Sequence, residues 1–264
     1  MTSYPLGHEF EGRKVVITGA AGVFGRWIAE AFDAVGADLM LSDLDATALA
    51  ALAASLSRPH ATHVTDLTDQ GSMDDLLAHV RAAWGAPDIL INNAGIYPSS
   101  FLLDMDLAQF DRVFDVNLRA PFWLSRGVAR QMIEAGRGGN IINISSGAAR
   151  KMRMTAVAYS TSKTALDRLN KGLALELAEY GIRVNIVEPG FAAGSVASPL
   201  SDDHVANVLR NIPLGRASGP ADAPNAIMYL CSSAGAFITG TSLAVDGGNS
   251  IGSNVVTQAK KKAL

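Results

Sequence analysis

The chain has 264 residues, with 22 Lys and Arg against 25 Asp and Glu and a formal net charge of −3, enough length for one large core and no basic footprint for nucleic acid. No apolar run approaches the ~18 residues of a membrane span, and the opening residues carry Pro5, Glu9 and Glu11 instead of a signal-peptide core, so a cytoplasmic protein with neither nucleic-acid nor membrane partner is expected. The single cysteine, Cys231, excludes an intrachain disulfide, and the five histidines show no metal-ligand spacing beyond His60-x-x-His63, so no metal is expected.

Short runs rich in Val, Ile and Leu alternate with Ala-rich segments of helical period, the pattern of parallel strands buried on both faces between crossover helices. Strands are expected near 14–18, 37–42, 60–65, 87–92, 139–145, 182–188 and 241–245. Right-handed crossovers then build an α/β fold of the Rossmann type, a doubly wound seven-stranded parallel sheet with helices on both faces. One domain should span 1–264, with an N-terminal extension over 1–12 and a C-terminal tail over 249–264. Ligands bind such a sheet in the crevice at the carboxyl ends of its strands.

Taken in chain order, the chemistry-bearing residues fall at those ends. Thr18-Gly19-Ala-Ala-Gly22-Val-Phe-Gly25 follows the first strand; glycines there let backbone N–H groups approach a pyrophosphate at a helix N-terminus. Position 23 is Val, so it is expected to stay helical, with Gly22 taking the unusual torsion. Asp43 ends the second strand, where a carboxylate can accept hydrogen bonds from an adenosine ribose and would repel a 2′-phosphate, pointing to NAD over NADP; it could also cap the next helix. Asn117 stands inside the apolar segment Phe114–Leu118, a poor helix position unless it has a role or a local hydrogen bond.

Ser146 and Ser145 both end the fifth strand, and Tyr159 and Lys163 lie four apart, on one face of a helix. A phenol is a weak base at neutral pH, and a nearby ammonium favours the phenolate and lets it exchange protons with an alcohol. Arg150, Lys151 and Arg153 lie between the serine and the tyrosine. They either hold an anionic substrate group or form a solvated, salt-bridged loop. Glu188, before Pro189-Gly190, either meets substrate or pairs with Arg183.

Together with Asn92-Asn93-Ala94-Gly95 and Asp246-Gly247-Gly248, these motifs resemble the short-chain dehydrogenase/reductase family, in its branch of about 250 residues, from about Gly12 to Gly248. The resemblance implies Tyr159 as general acid/base and Lys163 as holder of the nicotinamide ribose that also depresses the tyrosine pKa. It implies Ser146, thirteen residues before Tyr159, as donor to the substrate oxygen, and Asn117 as support for a proton-passing water. It places cofactor contacts at Gly19, Gly22, Phe24, Gly25, Asp43, Asp66, Leu67, Asn93, Tyr159, Lys163, Pro189, Ala192 and Ser195, the last standing near the position where the family has a Thr and this chain has Gly194. The expected protein is an NAD-dependent alcohol dehydrogenase or carbonyl reductase acting on a small alcohol or ketone, with an anionic substrate one option, assembled as a homotetramer. A 3-oxoacyl-carrier reductase, an epimerase suggested by the Thr-Gly-x-x-Gly-x-x-Gly spacing, and a non-catalytic cofactor sensor are the competing readings.

Overall fold

The computed structural model describes residues 4–192 and 202–252, without the side chains of 202–204. Seven parallel strands form one sheet in the order β3-β2-β1-β4-β5-β6-β7. They are β1 (Lys14–Thr18), β2 (Asp38–Asp43), β3 (Ala61–Val64), β4 (Ile89–Asn92), β5 (Gly139–Ile144), β6 (Ile182–Pro189) and β7 (Ser242–Val245). The order reverses between β1 and β4, which opens the crevice of a doubly wound fold at their carboxyl ends. The strands lie close to where hydrophobic patterning put them; β2 runs one residue further, so that Asp43 is held in the ladder opposite Val64.

Alternation along each strand divides the core in two. Val15, Ile17, Leu39, Leu41, Ile89 and Ile91 face α1 (Val23–Ala34), α2 (Ala46–Ser55) and α8 (Asp222–Cys231), packing with Ile28, Phe32 and Ile227. Val16, Met40, Leu90, Ile141 and Val184 face α3 (Gln70–Trp84), α5 (Ala120–Glu134) and α6 (Val157–Leu177), against Leu76, Val80, Leu124 and Val128. Each such side chain contributes about 1.5–3 kcal/mol on burial. The N-terminal segment joins the first core: Phe10 is buried edge-on against Phe32 at 5.3 Å, which ties down what the sequence suggested was a plain extension. Cys231 is buried, and burial pushes its thiol up to about 12, leaving it unreactive at neutral pH.

α4 (Leu107–Phe114) runs into α5 through a π-turn at Asp115–Arg119, where the Ala120 N–H reaches back to the Asp115 carbonyl. The extra residue of a π-turn re-aims side chains inside a helix and recurs at functional sites. α7 (Asp202–Arg210) precedes α8. Among the described residues no helix is long and apolar enough to cross a membrane, and no cluster of His, Cys, Asp and Glu is placed to hold a metal. His60 of the His60-x-x-His63 pair is buried with Nε2 2.8 Å from Asp33 Oδ1, while His63 faces Thr65 and His79.

Candidate active site

One wall of the crevice is made of backbone. α1 begins at Val23 with no side-chain cap and no acidic residue in its first turn, whereas Asp45, Asp69 and Asp106 cap α2, α3 and α4. The amides of Val23, Phe24 and Gly25 are therefore left to an external acceptor, which is how a helix N-terminus receives a phosphate. Crowding dictates the glycines. A Cβ on Gly25 would stand 2.0 Å from the Gly19 carbonyl oxygen, and one on Gly19 would stand 2.7 Å from Ala94 Cα. The unusual torsion falls on Gly19, with φ +61°, and not on Gly22, which has an extended φ of −70°. The expectation for Gly22 is thus corrected: the chain reverses as it leaves β1, one turn earlier, and Gly22 is simply the residue before the helix.

Asp43 is aimed at this loop. Its Oδ2 accepts from Ala21 N at 2.9 Å and its Oδ1 from Asp45 N at 3.1 Å, which leaves acceptor capacity on both oxygens for a ribose. It does not cap α2; Asp45 does, through Thr47 N and Ala48 N. Asn93 donates both amide hydrogens to the carbonyls of Thr18 and Gly19, at 3.0 and 2.8 Å. It fastens the glycine loop, with only its carbonyl oxygen left for a ligand. Asp66 closes a turn on Thr68 through N–H and hydroxyl bonds of 2.8 and 2.7 Å, which hold its carboxyl below the usual range; Leu67 beside it is buried.

The second wall carries side chains. Ser146 leaves β5 with its Oγ accepting from Ala148 N at 3.2 Å, and its hydroxyl lies near enough to the Tyr159 hydroxyl on α6 to lower that phenol's pKa. Ser145 is turned inward, its N–H on the Val187 carbonyl and its hydroxyl buried, which leaves Ser146 as the serine nearer Tyr159. Lys163 is buried one turn beyond Tyr159, donates to the Ile144 carbonyl at 2.8 Å, and lies 5.9 Å from the Tyr159 ring centre. Burial depresses its ammonium to about 8. A Cβ on Gly95 would stand 3.4 Å from both Lys163 Nζ and Asn117 Oδ1, so these two groups share one pocket. Asn117, carried by the π-turn, accepts from Ile96 N and donates to the Ile96 carbonyl, both at 2.9 Å, and donates to Ser162 Oγ at 3.1 Å. The structure thus brings Asn117, Ser146, Tyr159 and Lys163 together.

Burial raises the Tyr159 pKa; the Ser146 hydroxyl and the Arg153 cation act against it, and Tyr97, whose ring centre is 5.9 Å away, adds to it. Lys163 directs one of its three N–H groups to a backbone carbonyl, and its Nζ remains 5.9 Å from the centre of the phenol ring. Burial, the largest influence on Tyr159, favours the protonated phenol.

A family profile described as enoyl-(acyl carrier protein) reductase matches residues 19–250. The 3-oxoacyl-[acyl-carrier-protein] reductase of Escherichia coli K12 is 36% identical over 240 residues, covering 91% of this chain and 98% of that protein. The chain belongs to the short-chain dehydrogenase/reductase family. A sorbitol dehydrogenase from Cereibacter sphaeroides is 31% identical over 252 residues, covering 91% and 98%. Among solved structures, a short-chain type dehydrogenase/reductase from Mycobacterium marinum superposes with a TM-score of 0.85 at 32% identity, over 94% of this chain and 99% of that one. Membership brings oxidoreductase chemistry at a CH–OH or keto carbon and a nicotinamide cofactor. The uncapped α1 amides and the crowded glycines of the first wall suit the diphosphate of such a cofactor.

Three features of this family member escaped the sequence. Glu188 is buried at the end of β6 and meets Arg150, with Nη2 to Oε2 at 2.6 Å. Arg183 donates instead to the carbonyls of Leu230, Ile238 and Ser232. Burial, with Asp167 and Asp246 nearby, raises the Glu188 pKa, and Arg150 opposes that. Secondly, Asn92 donates to Ser125 Oγ at 3.0 Å and Asn143 Oδ1 at 2.9 Å, and Asn143 donates to Asn170 Oδ1 at 3.0 Å. This buried amide chain locks β4 and β5 to α5 and α6, and asparagines inside otherwise apolar runs were its visible signal. Lastly, Lys151 donates to the Asn249 carbonyl at 2.6 Å, joining the loop after Ser146 to the segment after β7. Pro189 closes β6 and Ala192 follows half-buried, whereas Gly194, Ser195 and the tail from 253 on, with Val255, Val256 and Lys260–Lys262, lie outside the described residues.

Proposed function

We propose that this protein is an NAD-dependent oxidoreductase that interconverts a secondary alcohol and its ketone, with Tyr159 as general acid/base. The observation that carries the reading is the convergence of the Ser146 and Tyr159 hydroxyls beside buried Lys163 and Asn117. Two hydroxyls on one substrate oxygen stabilise the charge that grows there as hydride moves. In reduction, the protonated Tyr159 gives its proton to the nascent alkoxide while Ser146 donates a second hydrogen bond. In oxidation, the phenolate takes the alcohol proton. The bound nicotinamide supplies the hydride acceptor or donor. Lys163 and Asn117, in one pocket behind the phenol, hold the route by which that proton is replaced.

Asp43 supports NAD, because its carboxylate is fixed by Ala21 N where a 2′-phosphate would meet like charge. A relative structure, described as an NAD(P)-dependent gluconate 5-dehydrogenase from Beutenbergia cavernae with NADP bound at low occupancy, makes the choice worth measuring; it has a TM-score of 0.85 at 29% identity, over 93% and 100% of the two chains. A second reading, reduction of a 3-oxoacyl thioester, is favoured by the 36% identity to the E. coli reductase. We also place the protein in the cytoplasm as a homotetramer; exposed Leu175 on α6 and Phe237 after α8 support pairing between subunits.

Steady-state assays with secondary alcohols, polyols and 3-oxoacyl thioesters, each with both nicotinamides, test the reading. A higher kcat/KM with NAD, and an NADP gain of about tenfold or more in Asp43→Ala, are expected. Preference for NADP with no gain in Asp43→Ala would refute the ribose assignment. Light scattering at micromolar concentration should return four times the 27.6 kDa chain mass; a monomer would refute the assembly.

A further inference from the structure

The three cations between Ser146 and Tyr159 are not equivalent. Arg150 is held by the buried Glu188 carboxylate and Lys151 by the Asn249 carbonyl. Arg153 is exposed on the loop that leads into α6, six residues before Tyr159, makes no hydrogen bond or ion pair among the described residues, and lowers the pKa of that phenol. No acidic side chain occurs from 147 to 166 or from 95 to 103, the two loops that border the phenol, so nothing along them competes for that guanidinium.

The loop that carries Arg153 is pinned on both sides. Upstream, Thr164 Oγ1 donates to the Ala149 carbonyl at 2.9 Å and Lys151 is tied to Asn249. Downstream, Ser99 Oγ donates to Thr155 Oγ1 at 2.7 Å and Ser100 N to the Thr155 carbonyl at 3.1 Å. Thr155 has φ +65°, the one positive φ outside glycine among the described residues, a strained torsion for a β-branched residue that persists only where its surroundings over-determine it. Residues 150–155 are thus a fixed strap running into α6 and tied to the loop of Tyr97, whose ring centre stands 5.9 Å from that of Tyr159, with one guanidinium in reserve. A guanidinium offers paired donors in a fork that fits a carboxylate or a phosphate.

Resting on the oxidoreductase reading above, we propose that Arg153 determines substrate specificity: it receives a carboxylate or phosphate carried by the alcohol or ketone a few atoms from the carbon that exchanges hydride. Neutral alcohols and ketones reach the same Ser146 and Tyr159 hydroxyls without that anchor and bind more weakly.

Matched pairs test this: 3-hydroxybutyrate against its methyl ester for the carboxylate, and sorbitol 6-phosphate against sorbitol for the phosphate, each on wild type, Arg153→Met and Arg153→Lys. The expected result is a wild-type kcat/KM at least about tenfold higher for the anionic member of one pair, expressed in KM. That ratio should collapse by about tenfold in Arg153→Met and recover in part in Arg153→Lys. Which pair responds separates carboxylate from phosphate. Because the readout is a ratio within one preparation, partial misfolding does not move it. Equal rates within both pairs, or an anionic preference that survives Arg153→Met, would overturn the proposal while leaving the oxidoreductase reading in place. Should no substrate turn over with either nicotinamide, calorimetric titration of the protein with NADH present, using 3-oxobutyrate and methyl 3-oxobutyrate, decides separately. Tighter binding of the acid, lost in Arg153→Met, supports Arg153 even though the hydride reading fails; equal binding overturns it.

Discussion

The two walls of the crevice are built on different principles. The cofactor wall is local: Gly19, Gly22 and Gly25 shape a turn of seven residues, and Asp43 reaches Ala21 across 22 positions on the neighbouring strand. The substrate wall is stitched from distant parts, with Lys151 on Asn249 across 98 positions and Ser99 on Thr155 across 56. A wall made of backbone torsions tolerates little change at its glycines and much elsewhere. A wall made of side-chain pairings can be re-tuned one partner at a time, which is how one scaffold serves many substrates.

The sharpest way to break this contrast is at the reacting group. Tyr159→Phe should lower kcat by about 10²–10⁴ while NADH affinity, a property of the other wall, stays within a few-fold. Retention of more than about a tenth of the activity, measured by NADH absorbance, would remove the tyrosine from its role.

On the cofactor wall, Gly25→Ala places a Cβ 2.0 Å from the Gly19 oxygen and 2.8 Å from Ala20 Cα. Overpacking of this kind costs about 1–3 kcal/mol, so NADH affinity by fluorescence titration should fall roughly 10- to 100-fold, at about 1.4 kcal/mol per decade. Unchanged affinity would mean that the loop is not the rigid cradle described.

Lys163→Met probes the cost of the catalytic wall. A buried ammonium with no carboxylate partner is destabilising, so the variant should lose activity yet melt about 2–4 °C higher at neutral pH, the shift for roughly 1 kcal/mol in a chain of this size. The sign follows from linkage. With the folded pKa depressed to about 8 from 10.5, the unfolded chain binds the extra proton between those values, and wild-type stability rises with pH across that window. The gap between variant and wild type should therefore be widest below pH 8 and close toward 10.5. A variant that melts lower at pH 7 contradicts the argument.

The smallest effect belongs to Glu188→Gln. Burial raises the Glu188 pKa, so its ionisation costs stability: the contribution is intact below the ordinary value of 4.5 and is lost as pH rises through the folded one. Arg150 offsets much of this and is itself partly solvated. Scanning calorimetry should find the variant equal to wild type near pH 4 and equal or more stable, by under about 1 kcal/mol, at pH 8. A clear loss at pH 8 would make the Arg150 pair a net stabiliser of the substrate wall.

Much of the molecule was determined by the sequence alone. Strand spacing, the alternation that assigns Val15 and Val16 to opposite cores, the glycine loop, Asp43 at a strand end, and the Tyr159 and Lys163 pair are all set by short-range periodicity and backbone sterics, which act along the chain. The tertiary structure decided what depends on which side chain meets which. It turned Ser145 inward, gave Glu188 to Arg150 instead of Arg183, and moved the positive φ from Gly22 to Gly19. Burial and Coulomb interactions are functions of distance in space, and residues far apart in sequence acquire such distances only when the sheet and its crossovers bring the strand ends together.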